Sequence, residues 1–124
     1  MTSEKQYIEF YEEERAGIMA RSPEWMNARR DEAFRTFSAV GFPSRKDERY
    51  RYTDVAKDFA HNYGINTSQR PQDASAQTLY NAVADTRDAL VALNTMFAME
   101  CQTVRVGKGE RPQHPIQIVN TLRD

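Results

Sequence analysis

A chain of 124 residues is sized for one domain with a modest hydrophobic core. With 40% hydrophobic and 28% charged residues, it lies far from the composition of a disordered chain. Seventeen basic and eighteen acidic side chains leave a formal net charge of −1, so binding to nucleic acid or anionic lipid would need a local patch. The single cysteine, Cys101, cannot build an internal disulfide framework, which fits a reducing compartment. The N-terminal MTSEKQYIEFYEEE lacks the basic and apolar regions of a secretory signal, and no stretch is long and apolar enough for a membrane span. The expectation is a soluble, cytoplasmic protein with no membrane partner.

Ser3-Glu4-Lys5-Gln6 has the form of a capping box and predicts a helix over Glu4 to Met19. Its apolar residues Tyr7, Ile8, Tyr11 and Ile18 recur at helical spacing, with Glu9, Glu12, Glu13 and Arg15 on the wet side. Ser22-Pro23-Glu24 predicts the next start, with serine as the cap and proline at the first helical position. This second helix is expected to run to Val40 and stop at Gly41 as a left-handed C′ residue. Met26, Ala33, Phe34, Phe37 and Val40 form its apolar stripe, with Trp25 beside it. The short connection predicts an antiparallel pair packed stripe to stripe.

Gly41-Phe42-Pro43 breaks the chain, and a charged, aromatic segment follows, SRKDERYRY. Thr53-Asp54 reads as the cap of a short helix holding Val55, Phe59 and His61 and ending at Gly64; residues 66–75 read as a polar loop. A third long helix is expected over Ala76 to Phe97, burying Leu79, Val83, Leu90, Leu93 and Phe97. Beyond it, Val104 and Val106 alternate about Arg105, Gly107-Lys108-Gly109 turns, and Pro115 to Leu122 reads as a second strand with Ile116, Ile118 and Leu122 on one face. The expected fold is mainly α within an α+β class: three long helices and one short helix in residues 1–98, then two short strands in residues 99–124. Two terminal strands cannot form a stable sheet unaided. The uncovered face of Ile116, Ile118 and Leu122 predicts that the isolated chain self-associates through this edge or leaves the residues after Thr103 mobile.

No residue pattern points to catalysis. His61 and His114 lack neighbours at zinc-ligand spacing, and Cys101 reads as a half-buried residue at a strand start in preference to a nucleophile served by a distant histidine. Glu12-Glu13-Glu14 and Asp31-Glu32 are adjacent helical positions that diverge around the axis and do not converge on one substrate atom. Gly107-x-Gly109 precedes no helix and reads as a turn. The reading is therefore non-enzymatic, with no catalytic, metal or cofactor-binding residue in the chain.

One segment exceeds what composition would give: Arg45-Lys46-Asp47-Glu48-Arg49-Tyr50-Arg51-Tyr52. Arginine and lysine interleaved with tyrosine suit a nucleic-acid-binding adaptor using Arg45, Lys46, Arg49 and Arg51 with Tyr50 and Tyr52. Asp47 and Glu48 dilute that patch, which favours a structural reading in which the arginines pair with acids on the first two helices while the tyrosines pack beneath them. Tyr52→Ala tests whether the segment packs the domain or docks a partner: a buried ring makes the change destabilising by a few kcal/mol, as large aromatic truncations are, whereas loss of partner binding at an unchanged melting temperature marks a docking surface.

As a string, GFPSRKDERYRYTDV resembles the N-terminal signature of the SufD family, through Gly41, Phe42, Pro43, Arg45, Lys46, Glu48, Tyr50, Arg51, Tyr52 and Thr53 in order. Tyr50 stands where that family more often has tryptophan. Ala92-Leu93-Asn94-Thr95-Met96-Phe97 resembles the family's Ala-Leu-Asn-x-x-Phe segment, and residues 103–118 resemble its opening strands. The resemblance implies a non-enzymatic scaffold of the SUF system for iron–sulfur cluster assembly. Its implied partners are a SufB-like scaffold and a SufC-like ATPase, with no nucleic acid. In that family a β-solenoid pairs SufD with SufB and a later helical region contacts SufC. ATP and the iron–sulfur cluster belong to the complex and to those later regions, so the chain is expected to be an N-terminal region holding no cofactor itself.

Overall fold

A computed structural model describes residues 2–61, 64 and 76–121. Among these, the chain forms α1 (Ser3–Ala20), α2 (Glu24–Val40), a 3₁₀ turn (Glu48–Tyr50), α3 (Val55–Asp58) and α4 (Ala89–Phe97). None of these helices is long and apolar enough to cross a membrane.

Both long N-terminal helices form as the apolar spacing requires, with their caps displaced from the expected residues. Thr2, not Ser3, caps α1, its Oγ1 accepting from the Lys5 N–H at 3.3 Å. The Ser3 hydroxyl instead donates to the Ala56 carbonyl at 2.8 Å, tying α1 to α3. Pro23 occupies the N-cap position of α2 without a side-chain bond, and Ser22 turns back to donate to the Ile18 carbonyl. The antiparallel pairing is read from its contacts. Asn27 Nδ2 donates to the Met19 carbonyl at 2.9 Å, Arg15 pairs with Asp31, and the Tyr11 and Phe34 rings stack at 4.9 Å. As numbers rise along α1 they fall along α2.

The buried stripe of α2 is Met26, Arg30, Ala33 and Phe37, while Val40 points to solvent and Phe34 is half-buried. Arg30 is 0% exposed, and no carboxylate among the described residues pairs with it. Its Nη1 donates to the Thr95 and Met96 carbonyls, both at 3.1 Å. Its Nε donates to Asn27 Oδ1 at 3.1 Å and its Nη2 to the Ser22 hydroxyl at 3.0 Å. Thr95 and Met96 lie in the last turn of α4, where carbonyls lack intrahelical donors and the helix dipole is negative. Arg30 thus supplies the charge that terminus favours. Accordingly α4, and not α1, is the main packing partner of α2.

The third helix is shorter than expected. Only Ala89–Phe97 is helical; Leu79 and Val83 are exposed, whereas Leu93 is buried and Leu90 and Phe97 pack at the core margin. Side chains that bond their own backbone defeat the apolar periodicity here. Asn81 takes φ 55°, outside helical space, and its Nδ2 donates to Thr95 Oγ1 at 3.1 Å. Asp85 Oδ1 accepts from the Arg87 N–H at 3.1 Å, and Asp88 Oδ1 caps α4 by accepting from Leu90 and Val91 at 2.9 and 3.2 Å. The short helix also ends early, at Asp58, with Phe59 as its C-cap in place of Gly64. The loop expected over 66–75 lies outside the described residues.

The two expected strands are not formed among the described residues. Residues 102–121 carry no ladder, and Val104, Val106, Ile116 and Ile118 stay about half exposed. Each segment has the alternation of a strand but no sheet to join, and pairing two short segments in water does not offset the ordering cost. Glu110 N–H donates to the Gly107 carbonyl at 3.1 Å, so the Gly-x-Gly is a turn. Leu122 lies outside the described residues.

Two stability predictions follow from the helix contacts. Arg30→Leu is expected to cost about 2–4 kcal/mol, because it strands two buried carbonyls, and Arg30→Lys to recover only part of that. Urea denaturation measures both, and an unchanged midpoint for Arg30→Leu would refute the capping role. On the surface, Arg15 Nε and Nη2 donate to the two Asp31 oxygens at 2.8 and 2.7 Å. The bond from Arg15 holds the Asp31 carboxyl below its ordinary 3.8, so its contribution is complete above that value and is lost as pH falls through the lower folded one. Asp31→Asn should therefore lower the midpoint more near about pH 6 than near about pH 3; equal losses would show that the pair contributes nothing.

Candidate docking surface

The segment from Gly41 to Phe59 begins with a backbone that only glycine adopts readily. Gly41 has φ 68° and ψ −171°, the extended mirror region and not the left-handed helical one expected. A Cβ there would also meet Glu4 Cγ at 3.2 Å. This bend directs Phe42 inward and lets its N–H donate to Glu4 Oε1 at 3.3 Å.

Phe42, 8% exposed, is the anchor of the segment. Its ring meets Phe37 edge-on at 5.2 Å and Tyr7 at 6.0 Å, and stacks on Phe59 at 5.0 Å. The Tyr7 hydroxyl donates to the His61 carbonyl at 2.9 Å. Such offset and edge-to-face aromatic pairs add to the burial of their area.

A second tie lies at the 3₁₀ turn. Asp47 caps it, accepting from the Arg49 N–H at 3.1 Å. Arg49 Nη1 then reaches Asp88 Oδ2 at 3.2 Å, and Asp88 is the residue whose other oxygen caps α4. The Asp88 side chain is 11% exposed and that of Arg49 64%, so the carboxylate is shielded while solvent still screens the pair from the arginine side. One carboxylate thereby fixes both the start of α4 and the signature segment. Arg49 pairs with the cap of α4, not with the first two helices as composition suggested. Its guanidinium, between Asp47 and Asp88, is held above its ordinary value. Between these elements runs an open groove of about 440 Å³, lined by Val40, Phe42, Tyr50, Arg87 and Asp88 among others.

The rest of the segment faces water. Pro43 and Tyr50 are half-buried, with Tyr50 against the core, while Arg45, Lys46, Glu48, Arg51, Tyr52 and Thr53 are exposed. Tyr52 is 86% exposed, which overturns its possible role as a packed ring. The Arg51 guanidinium lies 5.3 Å from its ring centroid, and Arg45 Nε donates to the Arg51 carbonyl at 3.4 Å. Residues six apart in sequence thus form one patch. The sequence offered no sign of Asp88 as a partner, although its place before an apolar run is a legible cap signal.

The remaining candidates do not converge. His61 and His114 are exposed and Cys101 is half-buried just after α4. Glu12, Glu13 and Glu32 are exposed, and Asp31 is engaged by Arg15 and by the Tyr11 hydroxyl. No group of three or more His, Cys, Asp or Glu able to share a metal occurs among the described residues.

The family described as the SufBD protein N-terminal region matches residues 1–82. The chain belongs to the SufB/SufD family. No curated protein and no solved structure matches it. The matched span contains α1, α2, the signature segment and α3, whereas Ala92–Phe97 and the extended residues after it lie beyond. SufBD membership links the chain to iron–sulfur cluster assembly.

Substitutions separate the two sides of the segment. Phe42→Ala is expected to cost about 3–5 kcal/mol, as truncation of a buried ring does. Tyr52→Ala should stay within about 0.5 kcal/mol of wild type. Thermal melts of both variants check this, and a large loss for Tyr52→Ala would contradict its exposed position.

Proposed function

We propose that the chain is the N-terminal region of a SufD-like, non-enzymatic scaffold that acts in iron–sulfur cluster assembly by forming a protein complex. The family match over residues 1–82 carries this reading. Within the family, the order Gly41, Phe42, Pro43, Arg45, Lys46, Glu48, Arg51, Tyr52 and Thr53 favours SufD. The division of that signature also supports docking. Phe42 and Tyr50 anchor it, while most of its charged residues and Tyr52 are exposed without a role in the core. A signature that served packing alone would have no use for that outer set.

The partners in this reading are a SufB-like scaffold and a SufC-like ATPase in the cytoplasm, with ATP and the cluster handled by the complex and not by these residues. Self-association through the face that holds Ile116 and Ile118 remains part of the proposal for the isolated chain, since these side chains are uncovered.

Co-expression of the full-length protein that carries this region with SufB-like and SufC-like proteins tests the assignment. The expected result is a complex that survives affinity and size-exclusion purification, with no oligonucleotide binding by the chain at physiological salt. Failure to co-purify with either protein would overturn the assignment, and steeply salt-dependent oligonucleotide binding would overturn it in favour of a nucleic-acid adaptor.

A further inference from the structure

We infer that Arg45, Lys46, Arg51 and Tyr52 form a docking patch for an acidic surface segment of a partner protein; this rests on the docking role proposed above and names the chemistry of its partner.

The patch is assembled by the fold. The Asp47 N–H donates to the Ser44 carbonyl at 3.0 Å, the Tyr50 N–H to the Asp47 carbonyl at 2.9 Å and the Thr53 N–H to the Tyr50 carbonyl at 3.0 Å. These successive turns bring Arg45 back to Arg51, where its Nε meets the Arg51 carbonyl at 3.4 Å. The Arg51 guanidinium in turn covers one side of the Tyr52 ring. The Phe42 cluster and the Arg49–Asp88 pair hold the base of the loop, so docking does not have to order it.

Charge decides the partner. Arg49 is committed to Asp47 and Asp88, and Asp54 caps α3 by accepting from the Lys57 N–H. Arg45, Lys46 and Arg51 form no ion pair among the described residues, and the exposed Glu48 and Asp54 are the nearby acids in sequence that carry no ion pair of their own. Exposed arginine beside a tyrosine is the composition of interface hot spots, and unpaired cations favour acids opposite them. Nucleic acid is the weaker match. A duplex or single strand asks for an extended basic track, and here the surplus is small and local. One face of Tyr52, which a base would need for stacking, is already shared with Arg51.

The test titrates the full chain with a fluorescein-labelled polyglutamate peptide at about 0.05 M salt, where exposed charges act over a longer range, and with a single-stranded oligonucleotide of equal charge. Wild type is expected to bind the peptide saturably. The double variant Arg45→Glu/Arg51→Glu should weaken it by at least roughly tenfold and Tyr52→Ala by a few fold, with unchanged melting temperatures. Arg29→Glu/Arg35→Glu, an equal charge reversal at exposed positions of α2, should bind as wild type does. Absence of peptide binding, equal losses in the α2 control, or oligonucleotide binding as tight as the peptide's would overturn the inference. Peptide binding that responds as expected without co-purification of SUF partners would uphold the patch and sink the partner assignment. A SUF complex that forms equally well with Arg45→Glu/Arg51→Glu would sink the patch and leave the assignment intact.

Discussion

Arg30 has no acid beside it, and much of the architecture answers that fact. A buried guanidinium without compensation is costly, and burial here pulls it below its usual value. Compensation comes from oxygen dipoles: the last carbonyls of α4, the Asn27 amide and the Ser22 hydroxyl. Those acceptors lie on different elements, so satisfying one side chain brings the end of α4 to the start of α2. Ser22 and Asn27 are bonded in turn to carbonyls at the end of α1, which places three helix termini around one cation. The stripe of α2 is continuous because an arginine fills the position where an aliphatic residue would be expected.

Asp88 does comparable work at the opposite end of α4. One oxygen caps the helix and the other holds Arg49, so the start of α4 and the turn of the signature segment share a carboxylate. With Arg30 at its C-terminus and Asp88 at its N-terminus, a helix of only nine residues is fixed at both ends. A helix this short would not persist alone in water. Its aromatic residue Phe97 adds a third attachment, stacking on Phe10 at 5.7 Å.

The signature segment is accordingly two things at once. Phe42 belongs to the core and cannot be separated from Tyr7, Phe37 and Phe59. Arg45, Lys46, Arg51 and Tyr52 belong to the surface, displayed on a loop whose base is held by that same core. This division reconciles packing and docking as readings of one stretch. It also explains why residues of similar type, Tyr50 and Tyr52, have different surroundings two positions apart.

The family was legible in the order of residues from Gly41 to Thr53, and so were α1 and α2. Apolar spacing over four or more turns and the break at Gly41-Phe42-Pro43 act locally along the chain. The buried role of Phe42 does not follow from locality, since its neighbours come from α1, α2 and the end of α3. Val83 kept helical spacing yet lies in water, because Asn81 takes a positive φ and Asp85 and Asp88 bind backbone N–H groups two residues on. Val104 to Ile118 kept strand spacing without forming strands, because spacing specifies a face and not the sheet that would cover it. The sequence by itself determined the family, the two long helices and the bend between α2 and the signature. Tertiary structure alone decided that Arg30 is buried, that Asp88 serves two elements and that Arg45 meets Arg51, because each depends on residues brought together by packing rather than by neighbourhood in the chain.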